Sequence, residues 1–399
     1  MFQYSFFRFL ISLMILKSTI IKYQIMKKFG IYIHVPFCES KCPYCDFYSR
    51  PPKSAGKDKN EYIREYTAGV KSRLVSYAKI YGDRAVDTIY FGGGTPSVLG
   101  ADALSDILSE IKNLYEVSEN AEVTCEANPC SVDEEFFAKL KNSGFNRLSM
   151  GLQSANEDEL RLLGRRHTAE EAAEKVRIAQ KVGFDNISLD LMIALPNQTK
   201  EKLKKSIDFC ASLNVQHISS YILKVEENTV FGKKGVQTLD DEETADMYLF
   251  MVDELEKLGY KQYEISNFAK ENFEARHNTR YWRDEEYLGI GPAAHSFMDG
   301  KRFYFERSLA DFLSGKNPIE DGSGGDIEEK IMLKLRLTEG ISENDLIGFE
   351  DGKAVFDKLI KAAKLLPKNL IKIDNGVISL TAEGFLVSNS VIEFMLERI

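Results

Sequence analysis

Tryptophan occurs once, histidine five times and cysteine six times in 399 residues. Cysteines this sparse exclude a disulfide-stapled secreted domain, and three of the six crowd between Cys38 and Cys45, which points to a metal site in a reducing compartment. Positive charge is also short. Fifty-two Lys and Arg stand against 61 Asp and Glu, a net charge of -9, so the bulk surface repels phosphate backbones and nucleic acid is excluded as a general partner. The apolar run from Phe6 to Leu16 is broken by Arg8 and falls short of the ~20 residues that cross a bilayer. No small-residue cleavage site follows it, whereas Lys17, Lys22, Lys27 and Lys28 do. Residues 1–28 are therefore read as an N-terminal extension, with Met26 as the working start and an interfacial anchor as the competing reading. The expected location is the cytoplasm, peripheral to the membrane if that anchor operates.

What is present suits a chain that buries a core: 44% of residues are hydrophobic and 28% charged. Short β-branched and aromatic runs alternate with longer helical patterns, which implies a parallel sheet covered by helices. The strand-like runs are Gly30–Val35, Val86–Phe91, Ala121–Glu126, Asn146–Gly151, Asn186–Met192 and His217–Leu223, each near-continuously apolar as in strands buried on both faces. Six βα units result, an α/β fold of partial (β/α)6 TIM type. A weak repeat supports it: Gly144-Phe145-Asn146, Gly183-Phe184-Asp185 and Gly259-Tyr260-Lys261 each close a helical pattern and lead into a strand-like run. Capping-box spacing marks two helix starts, Ser131 with Glu134 and Thr168 with Glu171.

The barrel is expected over 29–260, with a barrel-closing segment over 261–321. Gly322 to Gly325 reads as a linker into a C-terminal module over 322–399. That module combines helical patterns at 327–337 and 354–366, a hairpin turning at Asn375-Gly376 between 370–374 and 377–380, and a last helix from Ala382. Helices with one hairpin suggest a winged-helix-like packing or interaction domain.

Cys38, Cys42 and Cys45 follow the first strand at C-x3-C-x2-C spacing. Thiolates are soft ligands for iron–sulfur clusters, and three of them leave one iron of a [4Fe–4S] cube open to a small molecule. The alternative is a zinc knuckle that recruits His34, although zinc sites usually pair cysteines in separated C-x2-C knuckles. Cys125, Cys130 and Cys210 are scattered and receive no ligand role. Phe91-Gly92-Gly93-Gly94-Thr95-Pro96 ends the second strand, on the side where barrels place their sites. Glu126, Gln153 and Asp190 stand at or just after later strand ends, where a charge in an apolar strand demands a partner. An internal ion pair with Arg147 or Arg165 is the structural alternative for Glu126 and Asp190.

The cysteine spacing, with Tyr44 inside it, resembles the signature of the radical S-adenosylmethionine (SAM) superfamily. That resemblance implies a barrel in which the cluster's open iron binds SAM, whose cleavage yields methionine and a 5′-deoxyadenosyl radical. It further implies that Gly93, Gly94 and Thr95 meet the methionine amino group, and that Arg165 faces the carboxylate. Asp190 then takes the ribose hydroxyls, Tyr32 and Tyr44 the adenine side, and Glu126 and Gln153 complete the SAM contacts. A low-potential donor such as flavodoxin or ferredoxin is implied as the electron source.

From residue 29 onward the chain resembles the coproporphyrinogen oxidase-like group, which contains the HemN enzymes and the HemW-type haem chaperones. The oxidase motif carries a further cysteine two residues after the third, where this chain has Phe47; porphyrinogen decarboxylation is therefore the alternative function. His277-Asn278-Thr279-Arg280-Tyr281-Trp282 matches the HNxxYW pattern of HemW-type proteins. Chemically, His277 can ligate haem iron while Tyr281 and Trp282 stack on a porphyrin, or all three can brace the barrel's open side. The resemblance favours haem ligation by His277, with His295 as second candidate. It implies haem binding and transfer to haem-requiring acceptor proteins, respiratory ones included, while the cluster and SAM serve a structural, switching or redox role. No catalytic residue is assigned. A third reading is a zinc-bound interaction protein without SAM chemistry.

Overall fold

The computed structural model describes residues 26–52 and 58–399, so the expected N-terminal extension lies almost entirely outside the described residues. Six parallel strands stand side by side in chain order: β1 (Lys28–Val35), β2 (Ala85–Gly93), β3 (Glu116–Ala127), β4 (Arg147–Gln153), β5 (Ile187–Ile193) and β6 (His217–Ile222). A helix separates each strand from the next, the first spanning Lys59–Tyr81, and the helix Asp241–Lys257 follows β6. Unbroken sequential order with helical crossovers curls a parallel sheet toward a barrel.

The strands are buried on both faces, but the two faces differ in chemistry. Phe29, Ile31, Ile33, Val35, Ile89, Phe91, Leu148, Ile187 and Leu189 point outward into the helical layer and are fully buried. The alternate positions, Tyr32, His34, Thr88, Tyr90, Glu122, Glu126, Arg147, Ser149, Ser188, Asp190, His217 and Ser219, belong to the inner face. Six near-continuous apolar runs are thus half polar, because the concave side encloses a site instead of a hydrocarbon core.

Among the described residues, two further groups of strands extend this sheet to twelve. Beyond β6 come β7 (Lys261–Gln262) and β8 (Asn267–Ala269), with β8 antiparallel to β6; beyond β1 comes β9 (Tyr287–Ile290), parallel to it. β10 (His295–Met298), β11 (Lys301–Tyr304) and β12 (Ile319–Ser323) complete that edge. Gly322, expected in a linker, lies within β12, whose partner is β11. Main-chain pairing needs no side chain, which is why a Gly/Ser run passes for a loop. Of the helix starts, Thr168 and Glu171 form the expected box. Asp133, not Ser131, caps Glu134–Ser143 by accepting from the N–H of Phe136, while Ser131 ends a short 3-10 turn. Gly144 and Gly183 close their helices in the left-handed conformation, as the repeat predicts.

The C-terminal residues 327–399 hold β13 (Ile341–Ser342), β14 (Ile371–Asp374) and β15 (Val377–Leu380) in the order β13-β15-β14. Helices Ile327–Lys334, Gly352–Ala363, Ala382–Leu386 and Ser388–Leu396 accompany them. Asn375 and Gly376 both take positive φ, the paired left-handed geometry of a two-residue hairpin. A two-residue strand such as β13 is too short to announce itself by alternation. Leu335, Ile341, Phe356, Leu359 and Ile378 belong to the same connected core as the barrel's outer face. The Thr338 N–H donates to Tyr263 O at 3.0 Å, and Arg283 pairs with Glu339 at 2.8 Å.

Candidate functional site

The thiol loop leaves the end of β1 and is held against the end of β2 by main-chain bonds. Gly94 N–H donates to Val35 O and Thr95 N–H to Phe37 O, both at 2.7 Å. A Cβ on Gly94 would stand 2.7 Å from Phe37 O and 2.9 Å from Val35 O, so the tight join between loop and strand itself demands glycine. Within the loop the Cys45 N–H donates to Cys42 O at 3.1 Å. Cys38 Sγ lies 3.2 Å from Thr95 Oγ1, and Arg165 Nη1 reaches Cys42 Sγ at 3.6 Å while its Nη2 donates to Gly151 O. All three thiols are free and half-buried. Burial pushes the thiols of Cys38 and Cys45 up, and a bound metal would displace their protons.

One cavity of about 570 Å³ opens beside them, lined by the three thiols, Tyr44, Gly93, Gly94, Thr95, Glu126, Gln153, Arg165 and Asp190. Eleven residues singled out on separate segments of the sequence therefore meet at the C-terminal ends of the strands. Tyr32 does not join them. Its hydroxyl lies 3.0 Å from His34 Nδ1, deeper in the barrel, and its ring stacks near His277. The zinc alternative loses its fourth ligand, since His34 Nε2 is also engaged, 3.1 Å from Tyr48 O. No group of three or more His, Cys, Asp or Glu among the described residues converges as a single ion requires. A cube asks less, because each thiolate binds its own iron.

The two carboxylates are poised rather than paired. Glu126 accepts from the Tyr90 hydroxyl at 2.8 Å, and Asp190 from Ser149 Oγ at 3.1 Å. Neither forms an ion pair among the described residues, so the internal salt bridge weighed for them is not made. Burial raises Glu126 to about 7 and Asp190 to about 6, against the smaller opposing influence of those hydrogen bonds and of Arg147. Sequence reasoning missed Ser149 and Tyr90, which hold the acids, and Tyr221, Ile222 and Leu223, which line the cavity from β6 and just beyond it. Tyr90, Ser149 and Tyr221 stand two residues beyond Thr88, Arg147 and Ser219 on their strands, and that polar alternation is the signal the sequence offers; Ile222 and Leu223 carry none.

The HNxxYW segment forms the helix Arg276–Trp282 and lies at the other end of the barrel. His277 is 0% exposed. Its Nδ1 lies 2.8 Å from Thr88 Oγ1 on β2 and its Nε2 2.8 Å from the Tyr281 hydroxyl. Glu122 of β3 accepts the N–H groups of both Arg276 and His277, and Arg280 pairs with Asp87. Both imidazole nitrogens are thus spent inside the protein, and the expectation that His277 offers one to iron gives way to a bracing role. Tyr281 meets His277 and Tyr287 edge-on. His295, the second candidate, is exposed on β10 with its ring stacked 5.1 Å from Tyr304.

The sequence model of the Radical SAM superfamily matches residues 32–210. The chain is 35% identical over 377 residues to the haem chaperone HemW of Haemophilus influenzae, covering 92% of this chain and 97% of that protein. It is 34% identical over 391 residues to HemW of Lactococcus lactis (94% and 100% covered), and 37% identical over 331 residues to HemW of Escherichia coli (80% and 85%). Among solved structures it resembles coproporphyrinogen III oxidase (HemN) of Escherichia coli, a radical SAM enzyme, with a TM-score of 0.78 over 93% of this chain and 90% of that one, at 20% identity. At that identity the likeness speaks for the fold.

Proposed function

Because the chain belongs to the radical SAM superfamily, and within it to the HemW haem-chaperone family, we propose that it binds haem and passes it to haem-requiring proteins. Members of the superfamily carry a [4Fe–4S] cluster and SAM, and the residues present suit both. Three half-buried thiols on one loop, beside a cavity of about 570 Å³ with carboxylates at its wall, carry that reading. Cys38, Cys42 and Cys45 hold the cluster. Gly93, Gly94 and Thr95 present backbone and hydroxyl groups to the amino end of SAM, Arg165 its carboxylate partner, and Asp190 an acceptor for ribose hydroxyls. Tyr44 covers the adenine side, while Glu126 and Gln153 complete the wall. When bound, the cluster supplies low-potential electron transfer and a coordination site for SAM. Phe47, 70% exposed at the cavity's rim, stands where the oxidase resemblance calls for a cysteine, and this favours haem handling over porphyrinogen decarboxylation. Haem-requiring proteins are the recipients, and a flavodoxin- or ferredoxin-type donor supplies electrons.

The test uses anaerobic, iron- and sulfide-reconstituted full-length protein. It is expected to show a broad cluster absorbance, to take up haem with a Soret shift, and to surrender that haem to an added apo-haemoprotein. Cys42→Ala removes the cluster absorbance and most of the bound iron, whereas Cys130→Ser keeps both. Failure to bind haem, or turnover of coproporphyrinogen III to decarboxylated product, would overturn the reading.

A further inference from the structure

Arg147 is a cation in an unusual place. It sits on the inner face of β4, 1% exposed, and among the described residues neither its Nε nor its Nη1 has a hydrogen-bond partner. Across the strand pair it stands beside Thr124 of β3, whose hydroxyl is likewise buried and unpartnered. A buried guanidinium is normally consumed by a bidentate carboxylate. Here Glu122, the carboxylate that most favours its charge, already accepts the N–H groups of Arg276 and His277. The charge therefore remains unneutralised by direct contact, and in a low-dielectric interior its field reaches the groups around it. Burial opposes that charge, while Glu122, Tyr90, Tyr263 and Asp190 favour it.

We propose that Arg147 is a positioning residue for the cavity: from below and without touching the ligand, it keeps the Asp190 carboxylate charged and available to the hydroxyls of a bound nucleoside. The inference rests on the reading of Asp190 as the ribose acceptor. Asp190 lies two inner-face positions beyond the Arg147 level, opposite Gly151; Ser149, the inner-face neighbour of Arg147 on β4, donates to it at 3.1 Å, and Ser219 of β6 stands beside it in register. The other titratable or charged groups that face it are Glu126 on β3, Arg165 after β4, Tyr221 on β6, Tyr90 on β2 and Cys210 on the helix Lys200–Ser212. Arg165 also opposes its protonation, but it is committed to Gly151 O and Cys42 Sγ. Arg147 has no such commitment on two of its three nitrogens.

Carboxylate NMR of aspartate-labelled, full-length protein without ligand reads the Asp190 titration directly, with Asp190→Asn assigning the signal. Arg147→Met is expected to raise its midpoint by about one pH unit, a tenfold gain in proton affinity. Arg147→Lys retains the charge and shifts the midpoint by less. SAM affinity of reconstituted protein, measured by calorimetry between pH 5 and 8, is expected to weaken on the acid side earlier in Arg147→Met, and to lose that acid dependence in Asp190→Asn. An unmoved midpoint in folded Arg147→Met overturns the proposal. Should Arg147→Met not fold, persistence of the acid dependence in Asp190→Asn overturns it instead. Wild-type protein that binds no SAM at any pH defeats the underlying ligand reading, and the NMR result still decides whether Arg147 acts on Asp190.

Discussion

The two ends of the barrel are built from the same six strands and differ in how their polar groups are spent. At the floor, Arg147 and its neighbour Thr124 apart, the polar groups are matched: His277, Thr88, Tyr281 and Glu122 satisfy one another, and Arg280 closes on Asp87. At the cavity end, three thiols are free and two acids hold single hydroxyl partners beside open volume. Internal satisfaction stabilises a fold, whereas groups left short of partners are what a ligand can complete. The HNxxYW motif, which the resemblance ties to haem, thus belongs to the stabilising end. Substitutions at the floor should register in stability, and those at the cavity in binding.

The hardest test of that division is His277→Ala. It leaves Thr88 Oγ1 and the Tyr281 hydroxyl without their partner and opens space beneath Tyr32 and Tyr90. A loss of about 3 kcal/mol in urea-unfolding free energy is expected, combining a cavity with unpaired buried groups. Haem affinity of the folded fraction should change less than about twofold, on the same scale where tenfold is 1.4 kcal/mol. A large drop in affinity with unchanged stability would reverse the assignment of the two ends.

The cavity end makes the opposite prediction, that removing a charge there stabilises. Burial raises Asp190 to about 6. A folded-state value above the unfolded one means that the native state holds its proton more tightly, so stability is full at low pH and declines as pH rises from about 4 to about 6. Asp190→Asn removes that decline. At pH 7 the ligand-free variant is expected to be more stable than wild type by about 2–3 kcal/mol, with the gain vanishing near pH 4, while SAM affinity falls. Equal stability of the two proteins across that range would show that Asp190 is not strained by its burial.

How far the sequence reveals this division depends on whether the partners are close along the chain. Cys38, Cys42 and Cys45 share one loop, and Gly93, Gly94 and Thr95 one strand end, so local spacing exposes them. The Asn375-Gly376 turn is legible for the same reason, because its geometry is chosen by two adjacent residues. The fate of His277 is not, since its partner Thr88 lies 189 residues away and Glu122 lies 155 away. The resemblance puts Tyr32 on the adenine side, yet its depth along β1 puts it with His34. The inner face of β4, read as one apolar run, carries Arg147 and Ser149 at alternate positions. That alternation was visible, but only barrel closure says that the polar face looks inward.

The finest comparison deletes one hydroxyl at each end. Thr88→Val at the floor abolishes the bond to His277 Nδ1 and leaves a fully buried ring nitrogen without a partner. Ser149→Ala at the cavity abolishes the bond to Asp190, whose oxygen borders open volume where solvent can replace the hydroxyl. An unmet buried group costs about 1–3 kcal/mol, whereas a hydrogen bond that water can replace contributes about 1 kcal/mol or less. Urea unfolding is therefore expected to rank Thr88→Val as the more destabilised of the pair. SAM affinity near pH 6 should rank them the other way, because Ser149 is among the groups that hold the Asp190 proton off and Thr88 is not. If both variants lose the same stability and bind alike, the hydroxyls at the two ends are equivalent and the barrel has no divided economy of polar groups.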